Sequence, residues 1–138
     1  MNEIRNIFDI SGRAMASQMT RLNAIASNLA NARALSGSEE EAYRALRPVF
    51  SVNYSDKANK NGLATTDVEK IVQLDRTPDK VYQPDHPKAD GDGFVYAAAV
   101  DTDEEMVEMM EASRQYQNNL EVVMTLRTLM MRTANMGR

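Results

Sequence analysis

The chain contains no cysteine and no tryptophan, one histidine, six glycines and four prolines in 138 residues. Without cysteine it has neither a disulfide nor a thiolate metal site, and its stability does not follow the redox state of its compartment. With His86 as the only imidazole, one chain cannot build a histidine dyad or a multi-histidine metal site. The glycines stand too far apart for a phosphate-cradling loop or a nucleophile elbow. No run approaches the roughly 20 apolar residues of a membrane span. Asp9, Arg13 and several polar residues break up the opening stretch, so the apolar core of a cleaved secretory signal is missing as well. Sixteen Lys and Arg against twenty Asp and Glu give a net charge of −4, and the arginines are scattered. That is not the clustered basic footprint that nucleic acid requires. These absences argue against an enzyme, a cofactor, a nucleic-acid partner and a small-molecule substrate.

What is present divides the chain in three. All ten methionines lie at or before Met19 or at or after Met106, and all four prolines (Pro48, Pro78, Pro84, Pro87) lie between. Proline breaks helices and methionine favours them, so the ends read as helix and the middle as strands and turns. The length suits one domain. The expected fold is mainly α with a small β insert: residues 1–35 and 102–138 form a helical core, and 36–101 form a loop and a β-rich insert.

In the first helix, expected over about residues 3–34, Phe8, Met15, Leu22 and Leu29 recur every seven residues. Ile4, Ile7, Met19 and Ile25 adjoin them, making a heptad-like stripe. Such a helix is about 50 Å long at ~1.5 Å per residue and needs a partner along its length. Gly12, Ala16, Ala24, Ser27 and Ala30 interleave with the stripe and permit close approach. The last segment repeats the design, with Met109, Tyr116, Val123 and Met130 on one heptad position and Met110, Gln117, Met124 and Met131 on the next. Met106, Leu120 and Leu126 widen this face beyond what one partner helix covers, which favours helices from other chains. The two terminal helices are therefore expected to pair antiparallel, like a coiled coil, and to pack onto neighbours through these residues. Thr102 with Glu105 reads as a capping box, with Asp103, Glu104 and Glu108 suiting the positive helix end. Arg127 and Arg132 suit the other end, and Gly137 the stop.

Between the helices, residues 36–41 read as a solvated loop. Val49–Tyr54, Val68–Leu74 and Phe94–Val100 read as strands, and Tyr82–Pro87 as turn or extended chain. Asp90-Gly91-Asp92-Gly93 is a strong turn signal. It also invites comparison with a calcium loop, but aligning Gly93 with the required glycine puts Lys88 and Ala99 where acidic ligands belong. A hairpin turn fits better. Glu39–Glu41 read as a hydrated charge run.

The string Leu22-Asn23-Ala24-Ile25-Ala26-Ser27-Asn28-Leu29-Ala30-Asn31-Ala32 closely resembles the signature of flagellar axial proteins, a helix ending in N-[LI]-A-N. Tyr43-Arg44-Ala45-Leu46-Arg47-Pro48-Val49-Phe50 resembles the proximal-rod branch of that family. Two further segments do the same: Val81-Tyr82-Gln83-Pro84-Asp85-His86-Pro87-Lys88-Ala89-Asp90, and Glu105-Met106-Val107 with Ala112-Ser113-Arg114-Gln115-Tyr116-Gln117-Asn118-Asn119-Leu120-Glu121-Val122. The resemblance covers residues 7–54 and 77–138, and the insert from Ser55 to Arg76 departs from it. Its signature positions here are Asn28, Ala30, Asn31, Tyr43, Ser113, Arg114, Tyr116 and Asn119. It implies a structural subunit of the bacterial flagellar rod, spanning the periplasm, that carries torque from motor to hook. It further implies contact with copies of itself and other rod proteins, and passage through the flagellar type III export apparatus without a cleaved signal or membrane insertion. The rival reading, from the stripes alone, is a cytoplasmic helical adaptor or export chaperone.

Overall fold

The computed structural model describes residues 2–54 and 64–137, so part of the Ser55–Arg76 insert, residues 55–63, lies outside the described residues. Helices α1 (Asn2–Asn31) and α2 (Thr102–Met136) flank strands β1 (Leu35–Ser36), β2 (Leu46–Tyr54), β3 (Ala64–Gln73), β4 (Lys80–Tyr82) and β5 (Phe94–Ala97). At ~1.5 Å per residue the helices are about 45 and 52 Å long. The architecture is the expected two long helices with a small β middle.

α1 stops at Asn31, earlier than residue 34. The Ala32 N–H donates to the Leu29 carbonyl (3.3 Å) and the Ala34 N–H to that of Asn31 (3.0 Å), turning the chain into β1. The start of α2 differs from expectation by one residue. Asp101 and not Thr102 is the N-cap, its carboxylate accepting the N–H groups of Asp103 (3.0 Å) and Glu104 (3.2 Å). A charged acceptor here satisfies two orphan donors and faces the positive helix end. Glu105, expected to close a capping box, is instead fully buried. Gly137 caps the far end with its N–H on the Thr133 carbonyl (3.3 Å), and Arg127 and Arg132 fall short of the last turn, which has no basic residue.

β2 and β3 form a long antiparallel ribbon from Leu46↔Gln73 to Tyr54↔Ala64, with an irregularity between Val49 and Phe50. β2 runs through Pro48, which a two-stranded ribbon tolerates because each strand keeps a free edge. The ribbon lies against α1, where the Ser17 hydroxyl donates to the Thr66 carbonyl (3.0 Å) and Arg13 pairs with Asp67 (3.3 Å). The other sheet has the order β1-β5-β4, antiparallel throughout. Neither β1 nor β4 is expected as a strand from the sequence, because two or three residues carry no period; β1 overlaps the expected loop at Ser36 and β4 the expected turn or extended stretch at Tyr82. β5 ends at Ala97, short of Val100, since the next N–H groups leave the sheet. Ala98 donates to the Ala34 carbonyl (3.0 Å) and Ala99 to that of Tyr43 (2.8 Å), closing the sheet onto the end of α1.

The Asp90–Gly93 segment is a turn. The Asp90 carboxylate accepts the N–H groups of Asp92 (3.0 Å) and Phe94 (2.8 Å), which occupies an oxygen that a cation would need. Gly93 has φ +81°, and a Cβ there would stand 3.0 Å from Tyr82 Cε2 and 3.1 Å from Pro84 Cβ. Gly93→Ala is therefore expected to destabilise the chain by about 1–2 kcal/mol for the left-handed backbone alone, read as a lowered thermal midpoint.

Candidate assembly surface

Asn28, near the end of α1, lies at the junction of three segments and is fully buried. Its Nδ2 donates to the Leu46 carbonyl (3.0 Å) and to Glu105 Oε2 (3.1 Å). Its Oδ1 accepts from the Leu46 N–H (2.8 Å) and the Tyr43 hydroxyl (3.0 Å). An amide has two donor protons and two lone pairs, and all four are used. Tyr43 in turn meets the Ser27 hydroxyl (3.1 Å), and Asn31 Nδ2 donates to the Ser27 carbonyl (2.9 Å).

The buried Glu105 carboxylate is balanced by Arg47, whose Nη1 lies 2.6 Å from Oε1. That contact is close but not aligned as a hydrogen bond, so it is an ion pair. Arg47 also reaches Glu104 (3.2 Å), and Arg76 grips Glu104 with both terminal nitrogens (2.8 and 3.0 Å). Arginines at the same end of the β2–β3 ribbon, one in β2 and one just beyond β3, thus clamp the first turn of α2. The Arg76 hydrogen bond and charge, with help from Arg47, hold the Glu104 carboxyl below its ordinary value of 4.5, and Glu104 raises the Arg76 guanidinium in return.

Further along, Arg21 pairs with Glu108 and, at 3.7 Å, with Glu111. An earlier residue of α1 meets later residues of α2, so the helices run antiparallel. The covered positions of α2 include Glu105, Met109, Ala112, Tyr116, Asn119, Val123, Leu126 and Met130, stepping by four and three alternately. On α1, Ile25 is buried, and Phe8, Met15, Leu22 and Leu29 are partly covered. The second apolar row of α2 is bare: Met106, Met110, Met124 and Met131 are each about 60% exposed, and Leu120 is 39% exposed. Among the signature positions, Asn31, Tyr43, Ser113, Tyr116 and Asn119 are partly covered, whereas Ala30 and Arg114 are exposed.

Sequence reasoning missed Glu104, Glu105, Arg47 and Arg76 as a group. One signal was available, for Glu105 stands four residues before Met109 on the apolar stripe, where a charge must be paired. Among the described residues, no three His, Cys, Asp or Glu side chains gather to hold a metal, and no helix is long and apolar enough to cross a membrane.

The buried interior is small. Ala24, Ala42, Ala45, Ala99 and Ala112 make up most of it, and Ile25 and Val95 are the branched aliphatic residues buried among the described ones. Long paired helices, a small interior and a bare apolar row thus characterise the described residues. The family model described as "Flagellar basal body rod FlgEFG protein C-terminal" matches residues 92–136. The flagellar basal-body rod protein FlgC of Escherichia coli O6:H1 is 44% identical over 134 residues, covering 96% of this chain and 97% of that one. Those of Yersinia enterocolitica (42%) and Salmonella typhimurium strain LT2 (41%) match over the same shares. The chain belongs to the FlgC family of flagellar basal-body rod proteins, and it is a structural component of the proximal rod.

Replacing Asn28 by Ala strands the Leu46 backbone groups and one Glu105 oxygen, for an expected loss on the order of 3 kcal/mol in urea unfolding. Asn28→Asp sets a second carboxylate against Glu105 and should cost more at neutral pH. Because the folded-state value of Glu104 is lowered, its contribution to stability is complete above pH 4.5 and lost as pH falls through the lowered value. With 38% of this side chain exposed, screening keeps the effect modest. Acid unfolding of Glu104→Gln should show a shallower pH dependence in that window than the parent chain.

Proposed function

We propose that this rod protein polymerises by packing its terminal helices against those of neighbouring subunits, building a helical shaft that transmits torque from motor to hook. The observation that carries this reading is the bare methionine row of α2, running from Met106 to Met131 beside the row that faces α1. A chain with so small an interior has no use for this surface unless other chains cover it. Repetition of one non-closing contact generates a tube. Torque is then borne by many contacts in parallel, each side chain contributing about 1.5–3 kcal/mol when fully buried.

In this reading residues 1–35 and 102–138 are the axial core domain, paired as an antiparallel coiled coil, and 36–101 form the outward insert. Phe8, Met15, Leu22, Ile25, Leu29, Met109, Tyr116, Val123 and Met130 hold the pair together within one chain. Met106 and Leu120 meet neighbours. Those neighbours are copies of this chain and the adjoining proximal and distal rod proteins. The chain reaches them through the flagellar type III export apparatus without a cleaved signal.

The different exposure of Leu22 and Leu120 separates folding from assembly. Leu22→Asp places a charge in the partly covered pair and is expected to cost the chain itself several kcal/mol. Leu120→Asp on the exposed side is expected to change the stability of the isolated chain by less than about 0.5 kcal/mol, yet to abolish rods in purified basal bodies. Complete rods and normal swimming with Leu120→Asp would overturn the packing scheme, and a chain found only in the cytosol would point to an adaptor or chaperone.

A further inference from the structure

The facing apolar rows of the two helices do not by themselves say how far along α1 the second helix belongs. On α1 Phe8, Met15, Leu22 and Leu29 recur every seven residues, and on α2 Met109, Tyr116, Val123 and Met130 do the same. Sliding α2 by one heptad, about 10 Å at ~1.5 Å per residue, sets apolar against apolar again. Methionine is pliable enough to repack in the new place. The repeat is broken in the neighbouring row of α2, where Glu105, Ala112, Asn119 and Leu126 follow at the same interval. Glu105 and Ala112 are the two residues of α2 that are fully buried, and only one of them is charged.

The site that receives Glu105 is built without α2. Asn28 is oriented by the Leu46 N–H (2.8 Å), the Leu46 carbonyl (3.0 Å) and the Tyr43 hydroxyl (3.0 Å), which leaves one Nδ2 proton for Glu105 Oε2 (3.1 Å). From β2, Arg47 brings Nη1 to 2.6 Å from Oε1. In the slipped alignment the methyl group of Ala112 meets both, stranding an amide proton and a guanidinium. Arg21 then faces Gln115 and Asn118 in place of Glu108 and Glu111. Glu111 takes the place of Glu104 beside Arg76, so that pair discriminates little.

We infer that Glu105, received by Asn28 and Arg47, is the register-setting residue of this chain: it selects which of the heptad-related alignments α2 adopts on α1 as the subunit enters the rod. One buried polar residue in an otherwise apolar heptad seam has this effect in paired helices generally. The slip it prevents needs only the first two turns of α2 to unwind, since Ala99 stays bonded to the Tyr43 carbonyl (2.8 Å) and the chain after it supplies the slack. The inference rests on the packing reading above, and it holds whether or not the helices are paired before assembly.

Because the chain has no cysteine, introduced thiols report the alignment directly. Arg21→Cys with Glu108→Cys marks the observed alignment, and Arg21→Cys with Gln115→Cys marks the slipped one. Each pair is combined with Glu105, with Glu105→Ala, with Glu105→Gln, and with the exchange of Glu105→Ala and Ala112→Glu together. These full-length chains are co-expressed with the parent chain so that rods form, and purified basal bodies are treated with a thiol-to-thiol linker shorter than the slip. With Glu105 in place the 21–108 pair should link and the 21–115 pair barely. Glu105→Ala should raise the ratio of 21–115 to 21–108 product by about tenfold, the change that roughly 1.4 kcal/mol produces. Glu105→Gln keeps an acceptor for Asn28 and should stay near the parent ratio. The exchange should make 21–115 the main product, an outcome that a merely stabilising contact would not give. Unchanged linking of the 21–108 pair in both the Glu105→Ala and the exchanged chains would overturn the register inference while leaving the packing reading intact. Failure of the 21–108 pair to link when Glu105 is present would overturn the packing reading itself.

Discussion

The structure depends on one amide. The side chain of Asn28 is buried where α1, the entry to β2 and the first turn of α2 converge, and it makes four hydrogen bonds, among them one to the buried carboxylate of Glu105. An apolar residue there would leave the Leu46 N–H and carbonyl without partners, and a charged one would oppose Glu105. Only a group with two donors and two acceptors in one plane fits. That requirement fixes how far along α1 the second helix begins and where the β2–β3 ribbon departs, so geometry at one position propagates to both ends of the molecule.

Charge completes the joint. Glu105 is tolerable inside the protein because Arg47 accompanies it, and Glu104 is held on the other side by Arg76. The two arginines come from the start of β2 and from just beyond β3, so the ribbon is fastened to α2 through its base. The ribbon is fastened again to α1 through Ser17 and Arg13. Insert and helix pair are therefore joined by directional, paired polar contacts.

Apolar material is instead placed where the single chain cannot use it. An interior built mainly of alanine lets backbones approach closely but removes little area from water. Meanwhile one row of α2 faces α1 and the adjacent row faces outward. On the packing proposed above this division is economical, because the same helix would serve its own fold with one face and its neighbours with another.

The sequence alone determined the two helices, their apolar heptads and the β character of the middle, because period and proline placement are local properties that survive any tertiary arrangement. It also marked Asn28 through a family signature, and the turn at Asp90–Gly93 through its composition. It did not reveal what Asn28 touches, since Leu46, Tyr43 and Glu105 are distant in the chain and carry no shared pattern. Nor did it place the cap of α2, where Asp101 and Thr102 are both competent acceptors and only the burial of Glu105 removes the capping box. Which heptad row is inward and which outward was decided by the tertiary structure alone: both are rich in methionine, and only the direction from which α1 approaches tells them apart.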